Sequence, residues 1–464
     1  MAQAYREIRQ YFPKPGWVEH DPEELWGSTL RVIQRCIAQA RIRTTAIAAI
    51  GITNQRETTV LWDRKSGRPL HRAIVWQDRR TSDLCRTLKS HEADVRRITG
   101  LVLDPYFSGT KIAWLLRHYP RIAQSAKTGR LAFGTVDSWL LWKLTGGRVH
   151  ATDATNASRT LLYDLAAGDW SPAMLRLFAV PASVLPEIHP SSHSFGKTVA
   201  VGSLPAGIPI AGIAGDQQAA LFGQGCIQPG QAKNTYGTGC FLLMQTGRRL
   251  IHSKNGLITT VACDAQGKPS YALEGSVFIA GAAVQWLRDG LKIIRQASVT
   301  EALARSVPDS AGVYIVPAFV GLGAPYWKPD ARGLICGLTR GAGRAHLVRA
   351  ALESVAYQSQ ELVQAMEKDS RICLRSLQVD GGAVKNNFLL QFQADLSGVP
   401  VVRPRIIETT ALGAAQLAGL GVGLWNQKDL VRMRGVDRIF HPRWNSIRRS
   451  AAMAGWRTAV QRAL

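Results

Sequence analysis

Cysteine is scarce in this sequence, and the little there is carries no pattern. Its seven thiols, Cys36, Cys85, Cys226, Cys240, Cys263, Cys336 and Cys373, are odd in number and never fall at metal-ligand spacing. That excludes a disulfide framework and a zinc site of the ribbon type, and predicts reduced, mostly buried thiols. Long apolar runs are missing too. No stretch is long enough to span a bilayer, and Met1 to Gln10 contain no apolar signal core, so a cytoplasmic location is expected. Acidic residues are few, 33 Asp plus Glu against 57 Lys plus Arg, for a net charge of +24. Such an excess can serve nucleic acid or an anionic membrane. The basic residues are spread along the whole chain, however, and even the denser tail with Arg432, Arg434, Arg438, Arg443, Arg448 and Arg449 lacks a base-reading module. No specific nucleic-acid function is expected; a field favouring phosphorylated small molecules is the simpler reading.

What is present points to a globular protein. With 464 residues, 46% hydrophobic and 19% charged, the chain exceeds one core, and two domains are expected, 1–225 and 226–464. Near the end of the first stands its most informative stretch. Ile208, Ile210 and Ile213 form a β-branched run with Pro209 near its start, Gly212 and Gly215 permit a sharp exit, and Ala219 to Phe222 open a packed helix. Asp216 and Gln217 occupy the turn. A carboxylate there projects from the carboxyl end of a sheet, where open α/β folds bind ligands, although Asp216 as a plain helix cap is the simpler reading.

The preceding residues supply further polar exits from strands. Asp21 as cap, Pro22 at the first helical position and Glu24 able to close a capping box announce a helix. The apolar strand Ile47 to Ile52 ends in Asn54-Gln55-Arg56-Glu57-Thr58. Opposite charges side by side past a strand suit the hydroxyls of a small polyol, or an ordinary surface turn. Trp76, after Ile74-Val75, is placed more like a core residue than a ligand wall. Tyr5, Ile8 and Tyr11 or Phe12 predict a strand at the start of the chain, Leu131 to Phe133 another, Asp137 the start of a helix, and Thr152 to Arg159 a polar loop.

After Gly225 the pattern restarts. Lys233 to Thr238 and Cys240 to Met244 read as strands pinched at Gly237-Thr238-Gly239, a hairpin whose amides and hydroxyl suit phosphate oxygens. Gly275 to Leu291 reads as a helix with Gly281 and Gln285 one turn apart. Leu377 to Ala383 again gives an apolar strand and a glycine turn, with a helix from Asn386 onward; Gly381 and Gly382 let a nucleotide approach the backbone, and a helix N-terminus favours its charge. No Gly-Lys-Thr follows, and no dinucleotide fingerprint is present. Thr409 to Ala418 reads as a helix whose Gly413, Ala414 and Ala415 allow close packing.

The segment Tyr106-Phe107-Ser108-Gly109-Thr110-Lys111-Ile112-Ala113-Trp114-Leu115-Leu116, with Asn54 to Thr58, Asp104 to Lys111 and Gly212 to Gly225, resembles the FGGY family of carbohydrate kinases, in particular its members that act on glycerol. The resemblance covers nearly the whole chain. It implies the fold shared with actin and hexokinase: two duplicated, ribonuclease H-like α/β domains with a cleft between them for ATP and substrate. It implies transfer of a phosphoryl group from ATP, with Mg2+, to glycerol, giving sn-glycerol 3-phosphate in glycerol catabolism, with Asp216 as general base. By position, Arg56, Glu57, Tyr106, Asp216 and Gln217 would hydrogen-bond glycerol, and Trp76 and Phe241 would face its carbons. Thr238, Gly281, Gln285, Gly382 and Asn386 would bind the nucleotide. Family habit implies a homodimer or homotetramer. The alternatives are a kinase for another polyol or ketose, or a non-catalytic glycerol or nucleotide binder.

Two departures from the family pattern carry expectations of their own. An Asp-x-Gly-Thr-Thr loop, which in the family orients magnesium and the transferring phosphate, has no counterpart here, and Met1 falls where that hairpin ends. The acidic metal ligand is therefore expected upstream of Met1, in a longer reading frame; the alternative is a product that is short and impaired. The chain as it stands is expected to turn over glycerol little and to expose an edge of its first sheet. Ser203 to Gly207 holds no arginine where bisphosphate-responsive members carry a Gly-Gly-x-Arg-like loop, so that effector is not expected to act.

Overall fold

The computed structural model describes residues 2–328 and 330–464. They form two compact units. One comprises Met1–Gly223, Thr260–Tyr271 and Thr410–Val431, the other Gln224–Thr259, Ala272–Thr409 and Arg432–Leu464. After Gly223 the chain returns to the first unit twice. Among the described residues no helix is long and apolar enough to cross a membrane. The seven cysteines are free thiols, and burial pushes those of Cys85, Cys226 and Cys240 up to about 12, which makes them inert.

In the first unit the central strand Pro209–Gly215 lies between Ser192–Lys197, antiparallel, and Ile50–Asn54, parallel. Ile52, Ile210 and Ile213 pack with Leu141, Leu144 and Phe195 in one core. The helix Thr409–Gly421 presses closely on this sheet: a Cβ on Gly51 would collide with Ala414, one on Gly212 with Ala418, and one on Gly413 with Ala219. A second core gathers Trp62, Trp139 and Trp142 around the antiparallel strands Val60–Asp63 and Leu131–Gly134. The helix Pro22–Ala40 starts as its signals predict, with Asp21 accepting from Glu23 N at 2.9 Å. Glu24 does not close the box; its carboxylate accepts the Arg9 amide at 3.2 Å.

Three expectations about elements need correction. Residues 2–10 carry no strand, and the first pairing is an isolated bridge between Tyr11 and Glu19; Tyr5 and Phe12 are exposed, and apolar spacing alone cannot make a strand without a ladder partner. Met1 lies outside the described residues. Thr152 to Arg159 is not a solvent loop but the buried strand Ala151–Asp153 followed by the short helix Ala154–Ala157, its polar side chains enclosed in the interior. Gly275 to Val277 close the nine-residue strand Pro269–Val277, and the helix begins only at Gly281 and ends at Asp289.

The second unit is built on strands hydrogen-bonded in the order Pro269–Val277 from Ala272 onward, Cys240–Gly247, Gln231–Tyr236, Ser376–Asp380, Val401–Pro404, Val436–Phe440. Its core joins Leu242, Leu273, Leu377 and Val379 of the sheet to Leu352, Val355 and Leu362 of the helix Arg344–Ser370 and to Leu389, Leu390 and Trp456. Gln231–Tyr236 pairs antiparallel with Cys240–Gly247 and parallel with Ser376–Asp380. In both units, then, a glycine-bearing exit stands at the carboxyl end of a parallel pair.

Candidate active site

In the first unit Gly215 lies beside Asn54, so two parallel strands leave the sheet at the same end. Their exits meet there, which is where open α/β sheets present ligand-binding groups. Arg56 Nε lies 3.2 Å from Asp216 Oδ1 and 3.7 Å from Glu57 Oε1, and Arg56 Nη1 donates to Gln218 Oε1 at 3.2 Å. Gly215 lets this guanidinium in, because a Cβ there would lie 2.7 Å from Arg56 Cγ and 3.0 Å from Gln218 Oε1.

Glu57 is buried and sits at φ +62°, a left-handed conformation that a non-glycine residue holds only when its surroundings impose it. Arg159 Nε donates to Glu57 Oε1 at 2.6 Å, while Ser108 Oγ and Thr59 Oγ1 donate to the Glu57 carbonyl at 2.9 and 3.2 Å. The buried charges thus come in opposite pairs, as desolvation requires. Asp216 differs. Its side chain is 34% exposed, and its Oδ1 also accepts the Gln217 amide at 2.7 Å at the start of the helix Asp216–Gly223. The carboxylate is anchored on Arg56, belongs to the first turn of a helix and remains reachable from solvent, so helix capping and ligand contact are compatible.

Trp76 and Tyr106, both half-buried, pack edge to face at 5.5 Å, and the Arg159 guanidinium lies 5.7 Å from the Tyr106 ring. The Tyr106 loop is pinned by Lys111, a fully buried residue whose Nζ donates to the carbonyls of Pro105, Tyr106 and Phe107 at 2.8, 2.5 and 3.4 Å. Desolvation lowers the Lys111 pKa to about 8 against the pull of Glu57, Asp78 and Asp104. A continuous chain of contacts therefore runs from Trp76 through Tyr106, Arg159, Glu57 and Arg56 to Asp216, with Gln217 half-buried beside it. Phe241 belongs to the second unit, where it is half-buried opposite Thr235.

The nucleotide candidates all lie in the second unit. Thr235 lies beside Asp380 in parallel register, so Gly237-Thr238-Gly239 and Gly381-Gly382 leave the sheet at the same end. The hairpin is seated on the start of the helix Gly281–Asp289: Ala280 N and Ala282 N donate to Thr238 O at 2.8 and 3.1 Å, and Gly281 N donates to Gly237 O at 3.0 Å. A Cβ on Gly281 would stand 2.5 Å from Gly237 O. Thr238 and Gln285 are exposed. Gly381 has φ +89° with its would-be Cβ 2.5 Å from Tyr236 O, whereas a Cβ on Gly382 meets no protein atom within 4 Å. Asn386 caps the helix Asn387–Ser397, accepting from Leu389 N at 3.0 Å and donating to Thr300 Oγ1 at 3.1 Å. The open flank of Gly382, the exposed Thr238 hydroxyl and a helix start at the same sheet end suit a nucleotide phosphate. Among the described residues no three His, Cys, Asp or Glu side chains converge on a metal site. That is compatible with Mg2+, which keeps waters and is held through substrate phosphates with one or two carboxylates.

Sequence reasoning missed Arg159, Lys111 and Gln218. Arg159 stood at the end of a segment read as a polar loop, and the available signal was a dense run of Asp, Thr, Asn, Ser and Arg between strongly apolar elements. Lys111 lay inside an otherwise apolar helix start, a position that requires backbone acceptors.

The pattern described as "FGGY family of carbohydrate kinases, N-terminal domain" matches residues 1–223, and its C-terminal counterpart matches 232–422. The chain belongs to the FGGY family of carbohydrate kinases and has that family's two-domain α/β fold. Among its relatives, a "Glycerol kinase" of Symbiobacterium thermophilum is 57% identical over 100% of this chain and 93% of its own length. A "Glycerol kinase" of Leptothrix cholodnii is 59% identical over 99% and 94%. Among solved structures, Plasmodium falciparum glycerol kinase with ADP matches with a TM-score of 0.93 and 39% identity, covering 99% of this chain and 92% of that one.

Proposed function

We propose that this protein transfers the terminal phosphoryl group of ATP to a primary hydroxyl of glycerol, forming sn-glycerol 3-phosphate. The observation that carries the reading is the partly exposed Asp216 carboxylate held 3.2 Å from Arg56 at the shared end of two parallel strands, in a chain 57–59% identical to proteins named glycerol kinase. Phosphoryl transfer proceeds through a loose transition state, so the protein's work is positioning and charge stabilisation. Arg56, Glu57, Tyr106 and Gln217 orient the hydroxyls, Trp76 and Phe241 meet the carbons, and Asp216 accepts the proton of the attacking hydroxyl. Thr238, Gly281, Gln285, Gly382 and Asn386 hold the nucleotide. Mg2+, travelling with ATP, supplies charge neutralisation at the phosphates when bound. We place the reaction in the cytoplasm, and the working form as a homodimer or homotetramer, which sedimentation velocity checks.

The deciding experiment gives the full gene product glycerol and MgATP and follows product by 31P NMR, with xylulose as competitor. Asp216→Asn is expected to lower kcat by roughly 10² to 10⁴, the usual share of general-base catalysis, while glycerol still binds in calorimetry. Turnover within a few-fold of the unsubstituted protein would remove Asp216 as the base. Faster turnover of xylulose than of glycerol would overturn the substrate.

A further inference from the structure

Behind the turn that carries Asp216 lies a fully buried polar network that the reaction as described does not use. Its centre is Asp153, which has no solvent exposure. Asp153 Oδ2 accepts from Thr155 N at 3.0 Å, Thr155 Oγ1 at 2.6 Å and Ser191 Oγ at 2.6 Å, and Oδ1 accepts from Asn156 N at 3.0 Å and Asn156 Nδ2 at 2.9 Å. Thr155 Oγ1 in turn takes the Gly215 amide at 2.9 Å. Asn156 reaches the other strand end, since its side chain exchanges hydrogen bonds with Asn54 at 3.0 and 3.2 Å. Asn54 also donates to Asp137 Oδ1 at 3.3 Å, and Thr152 Oγ1 donates to Asp137 Oδ2 at 2.7 Å.

The direction of these bonds is fixed by chemistry. A hydroxyl has one proton, and Thr155 gives it to the Asp153 carboxylate over the shorter distance; the lone pair left over is what meets Gly215 N–H. That hydrogen bond orients the hydroxyl that holds the peptide immediately before Asp216. Gly215 is also the residue whose missing side chain admits Arg56. One amide therefore sets both the base and its cationic partner, while Asn54, two residues before Arg56, is tied to the same carboxylate through Asn156.

We propose that Asp153 and Thr155 are positioning residues for the catalytic turn: through Gly215 they fix Asp216 against Arg56, and through Asn156 and Asn54 they hold the neighbouring strand exit in register with it. This rests on the reading of Asp216 as the base. A misplacement of about 1 Å in such a turn is enough to cost on the order of a hundredfold in rate, whereas glycerol is held by several other groups. The loss is therefore carried by kcat more than by KM.

The test substitutes Thr155 in the full gene product. Thr155→Val keeps shape but cannot accept from Gly215, and is expected to lower kcat by roughly 10- to 100-fold with the glycerol KM within about 3-fold. Thr155→Ser restores the hydroxyl, and kcat returns to within about 3-fold of the unsubstituted protein. Should Thr155→Val fail to fold, Thr155→Cys, a weak donor and acceptor, takes its place with an intermediate loss of kcat. Val or Cys variants with unchanged kcat would overturn the proposal, as would a Ser variant as slow as the Val variant, or an apparent kcat that falls only in step with lost folded protein, turnover per folded molecule being unchanged. Asp216→Asn is run alongside. If Asp216→Asn retains turnover, the base assignment has failed; if it abolishes turnover while Thr155→Val is normal, the positioning role alone has failed.

Discussion

Asp216 and Asp380 each stand at the end of a parallel strand beside glycine, one in each unit, yet the two carboxylates have opposite fates. Asp216 is 34% exposed, paired with Arg56 and turned toward solvent. Asp380 is 3% exposed, and its Oδ2 accepts from Gln224 Nε2 at 2.8 Å and from the Thr409 hydroxyl. Gln224 opens the second unit and Thr409 starts the helix Thr409–Gly421, so Asp380 ties together segments distant in sequence. The difference teaches that a carboxylate at a strand end is not by itself a chemical group. Buried donors that hold one of its oxygens make it a clamp; a cation that holds it while leaving it reachable makes it available for chemistry.

The sharpest way to break this contrast is to neutralise each carboxylate in turn. Asp216→Asn is expected to lose roughly 10² to 10⁴ in kcat with a stability change under about 1 kcal/mol, because a partly exposed group contributes little to folding. Asp380→Ala strands two buried donors and is expected to cost about 2–4 kcal/mol in chemical denaturation, with turnover per folded molecule reduced far less than in Asp216→Asn. If Asp380→Ala left stability unchanged and removed turnover, the two carboxylates would have to exchange roles.

A third carboxylate sharpens the same point through pH. Asp137 is fully buried, with the Thr152 hydroxyl at 2.7 Å and the Thr135 hydroxyl also donating, and burial, assisted by Asp153, raises its pKa from 3.8 to about 6. The folded state therefore binds more protons than the unfolded chain between about pH 4 and pH 6. The penalty for ionising Asp137 is absent below that window and fully present above it, so this group makes stability fall as pH rises through it. The magnitude is about 3 kcal/mol from a shift of this size. Denaturation curves at pH 4.5 and 6.5 are expected to converge for Asp137→Asn relative to the unsubstituted protein; parallel loss in both would remove Asp137 as the source.

Much of this was legible in the residues. The Ile208 to Gly225 stretch announced its strand, turn and helix through β-branched residues and glycine, and Arg56-Glu57 was marked by opposite charges just past a strand. What stayed hidden depends on distant partners. Nothing local says that Arg159 is buried, because its partner Glu57 lies 102 residues away in sequence; the same is true of Asp153 and Ser191. The start of the chain failed for the converse reason: Tyr5 and Ile8 have strand-like spacing, but a strand is defined by its neighbour, and residues 2–10 have none to ladder with. Gly275 lies near the end of a strand packed against Leu362, and the helix that carries Gly281 and Gln285 starts only at Gly281.

The smallest expected effect on stability separates the glycines that flank these carboxylates. Gly215 and Gly381 are both closed positions. A Cβ would strike Arg56 in the first case and the Tyr236 backbone in the second, and Gly381 also needs φ +89°. Gly382 is open on its Cβ side and does not need positive φ. Gly382→Ala is therefore expected to shift folding stability by no more than about 0.5 kcal/mol, with a gain allowed from the stiffer unfolded chain. If that open flank is where the nucleotide lies against the backbone, the added methyl has nothing to meet until ATP arrives. KM for ATP should then rise several-fold while KM for glycerol and the denaturation midpoint stay put. Equal shifts in both KM values, or none in that for ATP, would show that the space beside Gly382 is not used by the nucleotide.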